Sequence, residues 1–299
     1  MEKSWQDVPL TIIVPYGEGG GADVSARQLA RFWGEELDTE IVVENHPGKA
    51  GRSGTSHFLS LPDDGCFVLL SAQVFFSLNI LFQNAPYAID DISVLSFLEL
   101  DRDCLSVSVD SPYRTIAELS SAILENPNRF SVPDSLGVPA NIILDYLIEK
   151  YHWQINRIPC EGAAARQQAL ADGVIDFCVG GMITALRNNE RCLMIYRNER
   201  HPMLPDVPGL GEVLGESVPA LGTSRFVAVR STLRKKHPER FQMLIDTLHR
   251  ARQRNDYQEV LKQSLTHTIS VYINQENSDR MLREMHETVA EYKKSLDPQ

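Results

Sequence analysis

Between Leu10-Thr11-Ile12-Ile13-Val14 and an amphipathic stretch opening at Asp23 stands Gly17-Glu18-Gly19-Gly20-Gly21, which neither a stable strand nor a stable helix can contain. Glycine loses more backbone freedom on ordering than any other residue, so this segment is a tight turn. The apolar run before it reads as a buried strand that ends at Pro15-Tyr16. After it, Val24, Leu29, Ala30, Phe32, Trp33 and Leu37 give Asp23–Leu37 one apolar side, the mark of a helix packed on a core. A strand–glycine–helix junction leaves the first helical amides without intrahelical partners. It also sets the positive end of the helix dipole beside backbone that a ligand can approach. A small carboxylate fits such a place, and a tight turn without a ligand is the alternative reading. The spacing is not GxGxxG, and no Gly-Lys-Ser/Thr follows, so dinucleotide and P-loop sites are excluded.

The same alternation continues. A strand at Glu40–Glu44 stops at Asn45-His46-Pro47-Gly48, a helix is expected from about Ser53 to Leu61, and Cys66–Leu70 makes a third strand. Three β-runs separated by helices predict an α/β fold with a parallel sheet covered on both faces. Further strands are expected near Ile92–Leu98, Cys104–Val109, Ile155–Pro159, Ile175–Val179, Leu193–Tyr196 and Phe226–Val229. Helices are expected at Thr115–Glu125, Pro139–Tyr151, Ala163–Ala171, Pro238–Gln253 and Ser278–Leu296, the last capped by Ser278. At 299 residues two lobes or one large α/β domain are the natural priors. The middle βα series followed by a late strand suggests one lobe inserted in another: 1–102 with 223–299, and 103–222.

Net charge of −11 disfavours nucleic acid and anionic membrane as partners, but leaves room for a small anion in a pocket of opposite local field. No apolar run reaches bilayer length. The start lacks an apolar signal core, which suggests either a cytoplasmic protein or one whose leader has been removed. Cys66, Cys104, Cys160, Cys178 and Cys192 form no CxxC or metal-type spacing; Cys66, Cys178 and Cys192 read as buried small hydrophobes, and one disulfide of unknown connectivity is compatible with an oxidising compartment.

Candidate ligand contacts follow from the junctions. In the first turn they are Gly19, Gly20, Gly21, Ala22 and Asp23, with Asp23 read as a cap or dipole partner, or else as a group that orients the ligand. Lys49 or Arg52 in the glycine-rich Pro47–Gly54 segment could attract an anion. Ser71 and Ala72 lie at a strand's carboxyl end, the usual ligand side of a parallel sheet. Cys160, Glu161, Gly162, Ala163 and Ala164 form a second strand–glycine–helix turn, so two helix starts, one per lobe, would grip two ends of a dicarboxylate. Ser131–Ser135 and Gly180-Gly181-Met182 are comparable loops. The histidines are dispersed, and HExxH, GxSxG, SxxK and metal patterns are lacking, so neither catalytic residues nor a metal or cofactor are expected.

Val14-Pro15-Tyr16-Gly17-Glu18-Gly19-Gly20-Gly21-Ala22-Asp23-Val24-Ser25-Ala26-Arg27 resembles the first signature of the tripartite tricarboxylate transporter solute receptors, the Bug family. Val42-Val43-Glu44-Asn45-His46-Pro47-Gly48-Lys49-Ala50-Gly51-Arg52-Ser53-Gly54 resembles the second, and Asp63-Asp64-Gly65, Pro159-Cys160-Glu161-Gly162 and Leu204-Pro205-Asp206-Val207-Pro208 follow in the family's order. The resemblance implies a two-lobed type II periplasmic-binding-protein fold with the ligand cleft between lobes. It also implies an extracytoplasmic receptor, expected to be monomeric, that captures a small organic acid or amino-acid-like ligand for membrane permease subunits. On this mapping Tyr16–Asp23 and Cys160–Ala165 bind the carboxylate, with Ser71, Ala72 and Ser135 lining the cleft. Glu18 and Glu161 depart from the family pattern, and two added acids near the entrance disfavour a ligand as anionic as citrate. A sensor of the same fold is the alternative function, and an α/β enzyme a more distant one.

Overall fold

The computed structural model describes residues 9–134, 139–160, 162–218 and 222–296. The chain divides into two compact units, one running up to Leu100 and resuming at Ser224, the other Asp101–Thr223.

In the first unit β1 (Leu10–Val14), α1 (Gly21–Leu37), β2 (Ile41–Asn45), α2 (Arg52–Ser60), β3 (Phe67–Ala72), α3 (Gln73–Phe82) and β4 (Ile92–Leu100) follow in order. The sheet order is β2-β1-β3, then the late strand β10 (Ser224–Arg230), then β4. β1 runs parallel to both β2 and β3, but β10 is antiparallel to β3 and to β4, so the sheet is mixed, not all-parallel as expected. The reason is connectivity: β10 enters from the other unit at the sheet end where β4 leaves it, and is not the product of a βαβ crossover within this unit.

Alternation along the strands gives the sheet two dry faces. Leu10, Ile12 and Val14 join Ala26, Leu29, Trp33, Phe241, Leu244 and Leu248 on one side, while Ile13, Phe58, Phe76, Phe226 and Leu282 form the core on the other. The Trp33 indole donates to Thr247 Oγ1 at 2.9 Å, which ties α1 to the later helix across the first face.

The second unit carries β5 (Asp103–Val107), α4 (Ile116–Glu125), β6 (Ser131–Asp134), α5 (Pro139–Tyr151), β7 (Asn156–Pro159), α6 (Gly162–Ala171), β8 (Phe177–Gly181), α7 (Met182–Arg187), β9 (Arg191–Ile195) and α8 (Leu210–Leu214). β5 is the centre of an antiparallel sheet, β8-β5-β9, and β6 pairs β7 in parallel. Ser131–Asp134, expected as a loop, is therefore a strand; Pro133 lacks a ladder donor, and the short two-stranded pair tolerates it because each strand has an open edge.

The chain returns through β10 to α9 (Leu233–Lys236), α10 (Pro238–Gln253), α11 (Asn255–Gln263) and α12 (Gln275–Leu296). Ser278 is not the cap of α12. The Asn274 carbonyl oxygen Oδ1 accepts the Asn277 amide at 3.0 Å, whereas Ser278, fully buried, accepts from the Phe97 amide at 3.3 Å and donates to the Ile273 carbonyl. The buried Arg252 of α10 donates to the Phe97 and Leu98 carbonyls at 2.9 and 3.0 Å, pinning that helix to β4.

Candidate functional site

Loop Pro15–Gly20 leaves the carboxyl end of β1 and enters α1 at Gly21. It is braced by side chains from three directions. Asn45, the last residue of β2, donates to the Tyr16 carbonyl at 3.0 Å and accepts from Arg27 at 3.0 Å. Asp23, buried in the third position of α1, accepts the Gly19 amide at 2.9 Å and Arg27 Nε at 2.9 Å. Burial opposes the Asp23 charge, but the bonds from Arg27, Gly19 and Asn45 outweigh it and hold the carboxyl below its usual range. Asp23 thus turns back to fasten the loop, while Gly20 is the N-cap and supplies no side chain.

Tyr16 is the third brace. Its hydroxyl lies 3.1 Å from Ser71 Oγ and accepts the Ala72 amide at 3.3 Å, while its ring tilts against Phe75 at 5.5 Å. Burial pushes the phenol up to about 12, with the Ser71 and Ala72 bonds acting the other way, so it is neutral at physiological pH. Ser71 and Ala72 are the last two residues of β3, and α3 begins at once with Gln73. Tyr16 therefore joins the start of α1 to the start of α3 at the carboxyl ends of β1 and β3.

Packing explains some glycines here and leaves others unexplained. A Cβ on Gly21 would strike the guanidinium of Arg225, which is buried and ion-paired with Glu99; Ser25 Oγ donates to that same Glu99 at 2.7 Å and to the Gly21 carbonyl at 2.9 Å. Gly51, at φ +90, lies under the Tyr16 ring. Gly17 is different: its φ is ordinary and a Cβ there would meet nothing within 4 Å, so no protein group requires glycine. Gly17, Glu18 and Gly19 are exposed, and among the described residues no protein acceptor meets the amides of Gly21, Ala22 or Asp23. Three unaccepted amides at the start of a 17-residue helix, with a buried arginine behind them, make a place suited to an anion.

In the Pro47–Gly54 segment Arg52 donates to the Gln83 carbonyl at 2.6 Å, while Lys49 is exposed. In the second unit β7 ends at Pro159, the Cys160 amide donates to the Asp134 carbonyl at 3.0 Å, and α6 starts at Gly162 with Ala163 and Ala164 in its first turn. Cys160 is buried and Ala164 exposed. Ser135 and Glu161 lie outside the described residues. Gly180 and Gly181 close β8, where Arg166 and Asp101 respectively fill the space a Cβ would need.

Sequence reading missed the buried Arg225, Glu99 and Ser25 cluster. Its only signal was a charged pair at matching ends of two strands, which register alone could connect. Among the described residues no group of three or more His, Cys, Asp or Glu side chains is placed to hold a metal, and no helix is long and apolar enough to cross a membrane. His46 and His57 stack at 4.0 Å.

Residues 25–295 match the tripartite tricarboxylate transporter family receptor, TctC. A UPF0065 protein from the tcbD-tcbE intergenic region of a Pseudomonas species is 28% identical over 214 residues, an alignment spanning 69% of this chain and 63% of that protein. Among solved structures, the periplasmic binding protein BugD superposes with a TM-score of 0.80 at 20% identity, covering 96% of this chain and 95% of its own. MatC from Rhodopseudomonas palustris, solved with bound malate, gives 0.79 at 19% identity over 97% and 100%. These likenesses give the two-lobed α/β fold of periplasmic binding proteins. The match over residues 25–295 shows the family: the chain belongs to the tripartite tricarboxylate transporter family receptors, TctC.

Proposed function

We propose that this protein is a solute-binding receptor that captures a small carboxylate and delivers it to membrane permease subunits without altering it. The reading rests on one observation: a Cβ at Gly17 would meet no protein atom within 4 Å, beside a helix start whose first three amides have no protein acceptor among the described residues. The backbone there is left open by the protein's own packing, and charge-assisted bonds from such amides are worth about 1.5–3 kcal/mol each. The malate in MatC supports a carboxylate as the ligand class. We extend the proposal to the Cys160–Ala164 turn, with Ser135 and Glu161, as the second set of contacts, and to Ser71 and Ala72 as the backing of the first. Glu18, exposed in the loop, works against a ligand carrying three negative charges.

Calorimetry on protein unfolded, washed and refolded to remove carried-over ligand tests this with acetate, malate, adipate and citrate. At least one mono- or dicarboxylate should bind, citrate should bind at least tenfold more weakly, and Gly17→Ala should lower affinity at least tenfold without changing the melting temperature. Absence of binding by all four would overturn the carboxylate assignment.

A further inference from the structure

The second unit brings two thiols together across its sheet. Cys104 on β5 and Cys192 on β9 are both buried, and their sulfurs lie 3.4 Å apart. β5 and β9 are antiparallel neighbours whose register slips between Leu105 and Ser106, a bulge that brings Cys192 opposite Ser106 and diagonal to Cys104. A disulfide needs about 2.05 Å between sulfurs. The two sulfurs thus stand about 1.4 Å outside bonding distance.

A third thiol, Cys178 on β8, has other neighbours, Ser106 Oγ at 3.4 Å and Glu190 Oε2 at 3.9 Å. The three thiols are not a metal site, since no group of His, Cys, Asp or Glu able to hold an ion occurs among the described residues. A receptor with the proposed function, on which this inference rests, works outside the cytoplasm, where thiols at this separation meet oxidising conditions.

We infer that Cys104 and Cys192 form a disulfide in the exported protein, closing a loop of 88 residue steps within the second unit. The reaction is exchange with a disulfide donor, either a thiol–disulfide oxidoreductase or a small oxidised disulfide. One cysteine thiolate attacks the donor, and the second displaces it; one S–S bond forms, the donor's breaks, and the two protons and two electrons leave with it as two thiols. Both sulfurs are shielded once the sheet is complete, so the exchange precedes final burial. Hydrogen bonding to Cys192 and burial hold the folded Cys104 thiol well above its usual range, which keeps it unreactive if oxidation is missed.

The test is a thiol count and a non-reducing peptide map on full-length protein produced by export to a bacterial periplasm, alkylated under denaturing conditions. Five cysteines less one bonded pair should leave three alkylated thiols and a linked peptide holding Cys104 and Cys192. Reductant should lower the melting midpoint by about 5–15 °C, a shift absent from the Cys104→Ala/Cys192→Ala double variant. Five free thiols in the exported protein, or a link through Cys66, Cys160 or Cys178, would overturn the inference. Should the double variant fail to accumulate, the peptide map of the unmodified chain decides alone.

Discussion

Gly17 in the loop and Gly21 at the first position of α1 are four residues apart, yet the structure constrains them in opposite ways. Alanine at Gly21 must displace a guanidinium fixed by Glu99 and by strand register, a collision of the overpacking kind that costs about 1–3 kcal/mol. Urea unfolding of Gly21→Ala should show that loss, while Gly17→Ala should stay within about 0.5 kcal/mol of the parent because nothing stands near its new methyl group. Tyr16 carries a second prediction. Its folded pKa of about 12 exceeds the unfolded value of 10.0, so the folded chain holds a proton that the unfolded chain releases between those values. The associated stability, at most about 2–3 kcal/mol, is complete below pH 10 and disappears as pH rises through 12. Tyr257, also pushed up to about 12 by burial, behaves likewise. Alkaline melts of Tyr16→Phe should therefore show a smaller decline than the parent between pH 10 and 12, with the remainder set by Tyr257 and by other buried groups raised by burial, such as Cys178. An unchanged decline would mean that Tyr16 is not shielded as described. At this scale the loop's glycines were legible in the sequence, but which glycine serves packing and which is left open was not, because that depends on an arginine about 200 residues away (the contact is with Arg225).

Helix ends were read correctly where local chemistry decides them and wrongly where burial does. Thr115 accepts the Glu118 amide at 3.2 Å at the start of α4, and Pro238 opens α10, both visible as short-range signals. Ser278 looked equally suited to capping, but its hydroxyl is taken up by the Phe97 amide of β4 and the Ile273 carbonyl, and the chain enters α12 through Asn274, four residues earlier. Replacing Asn274 with Ala should cost about 1 kcal/mol, the ordinary loss of a helix cap. Ser278→Ala should cost about 1–3 kcal/mol, because the Phe97 amide is then buried without its acceptor. Chemical denaturation of the two variants checks the order; a larger loss at Asn274 would reverse the assignment of roles. α3 was hidden for a related reason. Its residues Val74, Phe76 and Leu78 are buried together with Gln73, Ser77 and Asn79, so a helix covered on most sides shows no amphipathic period.

Across the whole molecule, the α/β class was legible from alternating strand and helix signals, and the mixed sheet was not. Strand direction depends on where a connection passes through the other unit, and periodicity in Ser224–Arg230 is the same whichever way it runs. The acidic surface has a comparable long-range consequence. With a net charge of −11, the field at a distance repels an anion, while the amides and Arg225 act only at short range. Added salt shortens the reach of the repulsion from about 30 Å at 0.01 M to about 8 Å at 0.15 M but leaves close contacts nearly intact. The association rate for a dicarboxylate such as adipate should therefore rise a few-fold between those ionic strengths, with the dissociation rate nearly constant. Stopped-flow binding traces measure both. A rate that falls with salt would mean that a positive local field extends well beyond the loop, and the recognition argued from Gly17 to Asp23 would then need basic side chains in addition to backbone amides.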